Sequence, residues 1–371
     1  MPADEVLLWH QPDQLVVDLG HLEAVQAMLG DLGVRHAKLA PDDVDELLGL
    51  ARLRELTALN GDVLDVDEIL AVLRRRGAAE RGGWEPVIGK NRVVGAVIGT
   101  AGHKPMDGAD PAPADATALP ELDIAPNAGR GVRVGLVDTP PAPAQPGTSD
   151  GPLPFRAGHA EFVASLIRRQ APAAEIHIEG VLDPETGRAD SWDTARAMLR
   201  LATTRQLDIL NLSIGCYTLD TPPLVLTRAI ERLSPRVLLV AAAGNHGDLD
   251  QLTAGRTRRS ACWPAALPPT VAVGSVDADG DRPRWSPQLP WLTCTALGVD
   301  VVGAYLTGEV ETASGLLHFD GHARWSGTSF SAATVSGAVA ARTVPGSVSP
   351  RQALAHLMTE GTLVQPFTDG S

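Results

Sequence analysis

Residues 207–245 read LDILNLSIGCYTLDTPPLVLTRAIERLSPRVLLVAAAGN. Two nearly unbroken apolar runs, DILNLSIG (208–215) and RVLLVAAAGN (236–245), flank a segment, 222–233, whose apolar residues recur at helical spacing. A strand without polar alternation has both faces covered, and a helix between two such strands joins them in parallel. The same unit recurs outward from here. VRVGLVD (132–138), EIHIEGVL (175–182) and TVAVGSVD (270–277) read as further strands, with helices at 159–170 and 191–205. The pattern predicts an α/β domain over residues 131–371: a doubly wound, mostly parallel sheet with helices on both faces. Such sheets bind ligands at the C-terminal ends of their strands, so the polar residues there are the candidates for chemistry.

Residues 1–97 read as a separate, small N-terminal α/β domain. LLW (7–9) and LVVDL (15–19) suggest strands, 21–29, 42–53 and 67–76 suggest helices, and NRVVGAVIG (91–99) suggests a last strand. Asp residues open the second and third helices, where they can cap free N–H groups. The segment carries 17 acidic and 10 basic residues, about half of the net charge of −14. Residues 98–130 are rich in Pro, Ala and Asp without a hydrophobic period, which predicts a linker.

Three polar residues stand at the predicted strand and helix ends. Asp138 closes VRVGLVD, His159 opens GHAEFVASLIRRQ, and Ser329 lies in WSGTSFSAATVSGAVAA, a turn running into a helix of small residues. Taken singly, an Asp there is more often a turn former, the His a core residue and the Ser a cap. Together they are the groups that make a serine hydroxyl nucleophilic. An imidazole must take its proton, and a carboxylate must hold the imidazole's tautomer. Asn245, in VAAAGNHG, adds an amide that can donate to a developing oxyanion.

VGLVD, GHAEFVA, NLSIG, AAAGN and SGTSFSAA, in that order, resemble the five sequence blocks of the subtilisin family of serine proteases. The resemblance covers residues 131–343. It implies a subtilisin-like catalytic domain with Asp138 as orienting acid, His159 as base, Ser329 as nucleophile and Asn245 in the oxyanion hole. It further implies that Ser213, Ile214 and Gly215 pair with the substrate main chain. Ala242, Ala243 and Gly244 would wall the S1 pocket, with Cys262 at its base and His246 near its rim. Trp263–Pro264 matches a position where the family has a cis proline. The implied activity is peptide-bond hydrolysis on a peptide or protein substrate, with no cofactor or metal. The N-terminal segment is expected to be an accessory or pro-domain that docks on the catalytic domain and restrains it.

Some residues depart from the family pattern. Ala160 and Glu161 follow His159 where His-Gly-Thr is usual, Phe330 follows Ser329 where a Met is common, and Ala333 replaces a Pro. The loop that forms a strong calcium site in secreted members is missing. Asp277, Asp279 and Asp281 read first as an acidic turn. A thiol at the base of S1 predicts a shallow pocket for medium apolar residues. Three rivals stand beside a general degrader: an acid-active relative using Glu161 as base, a catalytically silent binding protein, and a dedicated maturation protease for one partner.

Composition narrows the partners. The negative net charge excludes nucleic acid or an anionic membrane as the main ligand, since both require clustered cations. Three cysteines, Cys216, Cys262 and Cys294, contain no C-x-x-C pair and predict buried free thiols. The N-terminus lacks the basic, apolar pattern of an export signal, and no run is long enough to span a membrane, so the expected location is cytoplasmic.

Overall fold

The N-terminal residues build a sheet because β1 (His10–Asp18) is apolar on both faces. Leu15 and Val17 face helices α1 (Leu22–Asp31) and α2 (Val66–Glu80), while Val16 packs on the opposite side. The computed structural model of the protein describes residues 10–60, 64–97, 110–119, 122–141, 151–248 and 256–363. The strand expected at 7–9 lies outside these residues. β1 pairs antiparallel with β2 (Leu50–Leu53) on one side and with β3 (Ile88–Ala96) on the other.

The helix expected at 42–53 does not form. Those residues make a 3-10 turn (Pro41–Asp43), a two-residue strand (Val44–Asp45), a turn, and β2. Gly49 sits at φ 68°, in the left-handed region that ends a helix. Leu48, Leu50 and Leu53 bury against the sheet's neighbours, whereas Leu47, on the expected helical face, is 57% exposed. Apolar residues this dense fit either period, and tertiary pairing with β1 selected the strand.

The larger sheet runs through β4 (Arg133–Asp138), with α3 (His159–Gln170) following it, then β5 (Glu175–Gly180). After these come β6 (Arg188–Asp190), α4 (Ser191–Arg205), β7 (Ile209–Leu212) and β8 (Ile214–Gly215). The chain continues through α5 (Leu224–Leu233), β9 (Leu238–Ala242), β10 (Thr270–Val276) and β11 (Cys294–Leu297). The hairpin β12 (Val301–Thr312) and β13 (Gly315–Trp325) then leads into α6 (Thr328–Arg342) and α7 (Pro350–Thr359).

The core sheet has the order β5-β4-β7-β9-β10-β11 and is parallel throughout. Strand order reverses between β4 and β7, so a crevice opens beyond their C-terminal ends, at Asp138 and Ser213. Alternate residues feed two cores. Val240 and Val273 face α3 and α6, and Leu239 and Ala272 face α4 and α5. In α5 the buried residues Val225, Leu226, Ala229, Ile230 and Leu233 form one stripe. Trp192 on α4 is fully buried beneath both sheets, and replacing it by Ala should cost about 3–5 kcal/mol.

The second face of the N-terminal sheet packs on α4 and α5, with Val16, Leu50 and Val94 in the same buried cluster as Trp192, Leu226 and Ile230. Ion pairs rim this contact: Arg228 with Asp18, Arg196 with Asp42 and Asp45, and Arg92 with Asp220. Asn91 accepts from Ser191 Oγ at 2.9 Å and from the Trp192 N–H at 3.0 Å, tying β3 to the start of α4. β3 then leaves its own sheet and runs antiparallel between β6 and β8. In the 98–130 region, the described residues Ala112–Pro113 add a short strand to β13. Among the described residues, no helix is long and apolar enough to cross a membrane.

Candidate active site

Asp138, at the end of β4, and His159, the first residue of α3, meet with both side chains fully buried. His159 Nδ1 lies 2.7 and 2.9 Å from the two carboxylate oxygens. The Thr139 N–H donates to the same carboxylate at 2.7 Å. A buried carboxylate beside Nδ1 holds the proton there, which leaves the Nε2 lone pair as the acceptor. Nε2 is buried without a hydrogen-bond partner. Trp325 stands edge-on to the imidazole at 5.8 Å and Phe330 lies at 5.9 Å, so the ring is clamped. Gly158 allows this packing, because a Cβ there would sit 2.2 Å from the Tyr305 ring.

Ser329 is the second residue of α6, at the helix end where free N–H groups favour a developing anion. Its hydroxyl donates to the carbonyl oxygen of Val97 at 2.8 Å. Asn245 Nδ2 donates to the same oxygen at 3.2 Å. The amide is fixed in this sense because its Oδ1 accepts from the Thr328 N–H at 3.0 Å and from Thr328 Oγ1 at 2.9 Å. A peptide carbonyl therefore lies between a serine hydroxyl and a side-chain amide donor. The Val97 N–H donates to Ser213 O at 3.0 Å, and Ile214 and Gly215 pair with Ala96 and Gly95. Behind the serine, Ser336 Oγ donates to Asn211 Oδ1, Asn211 Nδ2 to Ser213 Oγ, and Ser213 Oγ to Ser329 O, at 2.9–3.1 Å.

The remaining sequence candidates fall around this point. Ala242, Ala243, Cys262 and His246 are fully buried, and Gly244, at φ 102°, turns the chain toward Asn245. Cys262 Sγ closes on Gly215, where a Cβ would lie 2.5 Å from the sulfur and 3.1 Å from Val97 Cγ2. Burial pushes the Cys262 thiol up to about 12, so it stays neutral. His246 takes a hydrogen bond from Tyr217 and faces Ser260 O, and burial lowers it to about 4, so it too is neutral near pH 7. The Trp263–Pro264 peptide is cis. All three cysteines are free and buried. Glu161 pairs with Arg168 at 3.1 Å along α3. Asp277 accepts from the N–H groups of Asp279 and Asp281, an acidic turn, and no metal-binding group of carboxylates, His and Cys occurs among the described residues.

Sequence reasoning missed Thr328, Thr139 and Val97. Thr328 carried a signal, since it precedes the serine and its backbone N–H caps the amide. Val97 carried none. Only the path of β3 brings its carbonyl to the serine.

The model of the subtilase family matches residues 147–365. Subtilisin BL of Lederbergia lenta is 29% identical over 201 residues, 48% of this chain and 67% of its own length. Subtilisin E of Bacillus subtilis (strain 168) is 28% identical over 170 residues, 46% of this chain and 39% of its own length. Among solved structures, that of a lanthipeptide protease is similar at 26% identity and a TM-score of 0.49, over 61% of this chain and 78% of that one. The chain thus covers two thirds of one relative and well under half of the other.

Proposed function

The chain belongs to the subtilase family, a family of serine proteases, and on that premise we propose that it is a serine endopeptidase acting through Asp138, His159 and Ser329. The observation that carries the proposal is the Val97 carbonyl, held between Ser329 Oγ and Asn245 Nδ2. Ser329 attacks a peptide carbonyl, and its proton passes to His159 Nε2. Asp138 holds the Nδ1 proton and stabilises the imidazolium. The Asn245 amide and the Ser329 N–H stabilise the tetrahedral oxyanion. The imidazolium then returns the proton to the leaving amine, and water releases the acyl group by the same route. No step calls on a cofactor or metal.

Residues 131–371 make up the catalytic domain in this reading, 98–130 the linker, and 1–97 a domain that docks on it and fills the cleft. The filled cleft favours an enzyme restrained until needed over a general degrader. Glu161 is turned to Arg168, which counts against a glutamate base. A fluorophosphonate probe tests the chemistry: wild type should label with loss of peptide hydrolysis, and Ser329→Ala should not label. Equal labelling of both proteins would remove Ser329 as the nucleophile.

A further inference from the structure

A cavity lies in the seam between the N-terminal sheet and the catalytic domain, outside the cleft. Its volume is about 280 Å³, and α2, the first half of β3 and the start of α5 line it. Gly89 allows β3 to run so close to α5, since a Cβ there would sit 3.0 Å from Leu224 Cβ. The charges around the cavity do not balance. Arg74, Lys90 and Arg92 line it against one carboxylate, Asp220. Lys90 and Arg92 are only 7% and 5% exposed and share Asp220, and Lys90 also reaches Asp67. Arg74 donates to the Ile88 carbonyl at 3.1 Å and has no carboxylate partner among the described residues.

The opposite wall adds to the positive side. Pro222, Pro223 and Leu224, at the N-terminus of α5, line the same space. No side chain caps this helix end, and its first turn holds no acidic residue. Its free N–H groups and dipole therefore bring partial positive charge to a cavity already ringed by cations. Thr227, one turn further along α5, also lines the cavity, and its Oγ1 is buried without a hydrogen-bond partner. A buried hydroxyl in that state destabilises the fold, and a ligand that accepts its proton in a hydrogen bond offsets the loss.

We propose that this cavity binds a small oxyanion of the phosphate class. Guanidinium, ammonium and helix N-terminal N–H groups are the donors that phosphate oxygens take. Here they converge from three elements, α2, β3 and α5. A tetrahedral anion offers acceptors in all those directions, whereas a carboxylate offers them in one plane. The donors also belong to two halves of the molecule. Arg74, Lys90 and Arg92 come from the N-terminal residues, and Thr227 and the helix end come from the catalytic domain. An anion held by both halves binds only while they are together, so it stabilises the docked arrangement by mass action. β3 runs from this cavity into the cleft, where the Val97 carbonyl meets Ser329. Resting on the endopeptidase reading above, the anion is an effector that lowers hydrolysis by holding that strand in place.

Titration of the full-length protein with inorganic phosphate, at constant ionic strength and neutral pH, tests the site through the thermal midpoint. The midpoint should rise by about four degrees at a hundredfold excess over Kd, and acetate should leave it nearly unchanged. Arg74→Gln should weaken phosphate binding by about tenfold or more, the loss of one charge-assisted hydrogen bond. Thr227→Val keeps the side chain's shape. Its midpoint without phosphate should match or exceed that of wild type, while its phosphate affinity falls by about fivefold. Methyl phosphate separates the two sources of this chemistry: binding as tight as that of phosphate assigns the site to monoesters, and weaker binding assigns it to the free anion. No saturable rise with phosphate, an equal rise with acetate, or undiminished binding by both variants would overturn the site. Hydrolysis of added peptide should fall as phosphate fills it. Saturable binding with unchanged hydrolysis would overturn the effector role alone. A protein that binds phosphate but hydrolyses no peptide under any condition would remove the protease reading and leave the site standing.

Discussion

Replacing Asn245 by Ala removes one donor, Nδ2, 3.2 Å from the carbonyl oxygen in the cleft. In the resting complex that oxygen is neutral and the bond contributes only about 0.5–1.5 kcal/mol. In the tetrahedral intermediate the same oxygen carries a full negative charge within a buried site, where a preorganised donor contributes about 2.7–4 kcal/mol. That upper scale was measured in a related subtilisin and is carried over here. Both groups that fix the donor are intact in this chain: the Thr328 N–H at 3.0 Å and its hydroxyl at 2.9 Å from Oδ1. Asn245→Ala should therefore lower kcat by about a hundred- to a thousandfold with KM little changed. Thr328→Val should cost less, about tenfold, because the backbone N–H still orients the amide. The assay is steady-state hydrolysis of a peptide anilide, with active sites counted by a stoichiometric burst so that kcat refers to competent enzyme. A change confined to KM, or a kcat within threefold of wild type, would refute the assignment of Asn245 to the oxyanion.

Ser329→Ala and His159→Ala should each abolish nearly all hydrolysis, and the double variant should be little worse, since the groups act as one unit; near-normal turnover in either variant would contradict this. A base of the imidazole type accepts a proton only when neutral, so activity should fall in acid. An optimum near pH 4, about where a free glutamate titrates, would instead implicate Glu161. Asp220 is held below the ordinary carboxylate range: burial opposes this, but Arg92 and Lys90 outweigh it. A lowered pKa means that its contribution is present above about pH 3.9 and is lost as pH falls through the folded value. Asp220→Asn should lower the thermal midpoint by about one or two degrees, about 0.5–1 kcal/mol for a pair partly open to solvent, and weaken the hold of the N-terminal domain. Hydrolysis of added peptide should rise in proportion, and an unchanged melting curve would show that the pair does not hold the domain. Treatment with EDTA should leave activity and midpoint nearly unchanged; a large drop restored by calcium would reveal a carboxylate site.

What the sequence determined by itself is the α/β fold with its parallel sheet, and the pairing of Asp138 with His159 at the ends of its elements. Buried parallel strands must be apolar along their whole length, so β4, β7, β9 and β10 stand out as unbroken runs. The helices α3 and α4 run over 159–170 and 191–205, the residues where the apolar spacing places them. Asp138, His159 and Ser329 lie at element ends because that is where a parallel sheet exposes polar groups, and their short-range motifs mark them. Longer-range choices left no local trace. Residues 42–53 satisfy helix and strand periods alike, and only pairing with β1 and the left-handed turn at Gly49 decide between them. Likewise NRVVGAV reads as a strand, but nothing in it says that its first half completes one sheet while its second half lies between β6 and β8 of another. The carbonyl that reaches Ser329 belongs to an ordinary valine. Its place follows from backbone hydrogen bonds, which any residue can make, and from the fit of a small side chain against Gly215 and Cys262, which exists only once the two sheets have come together.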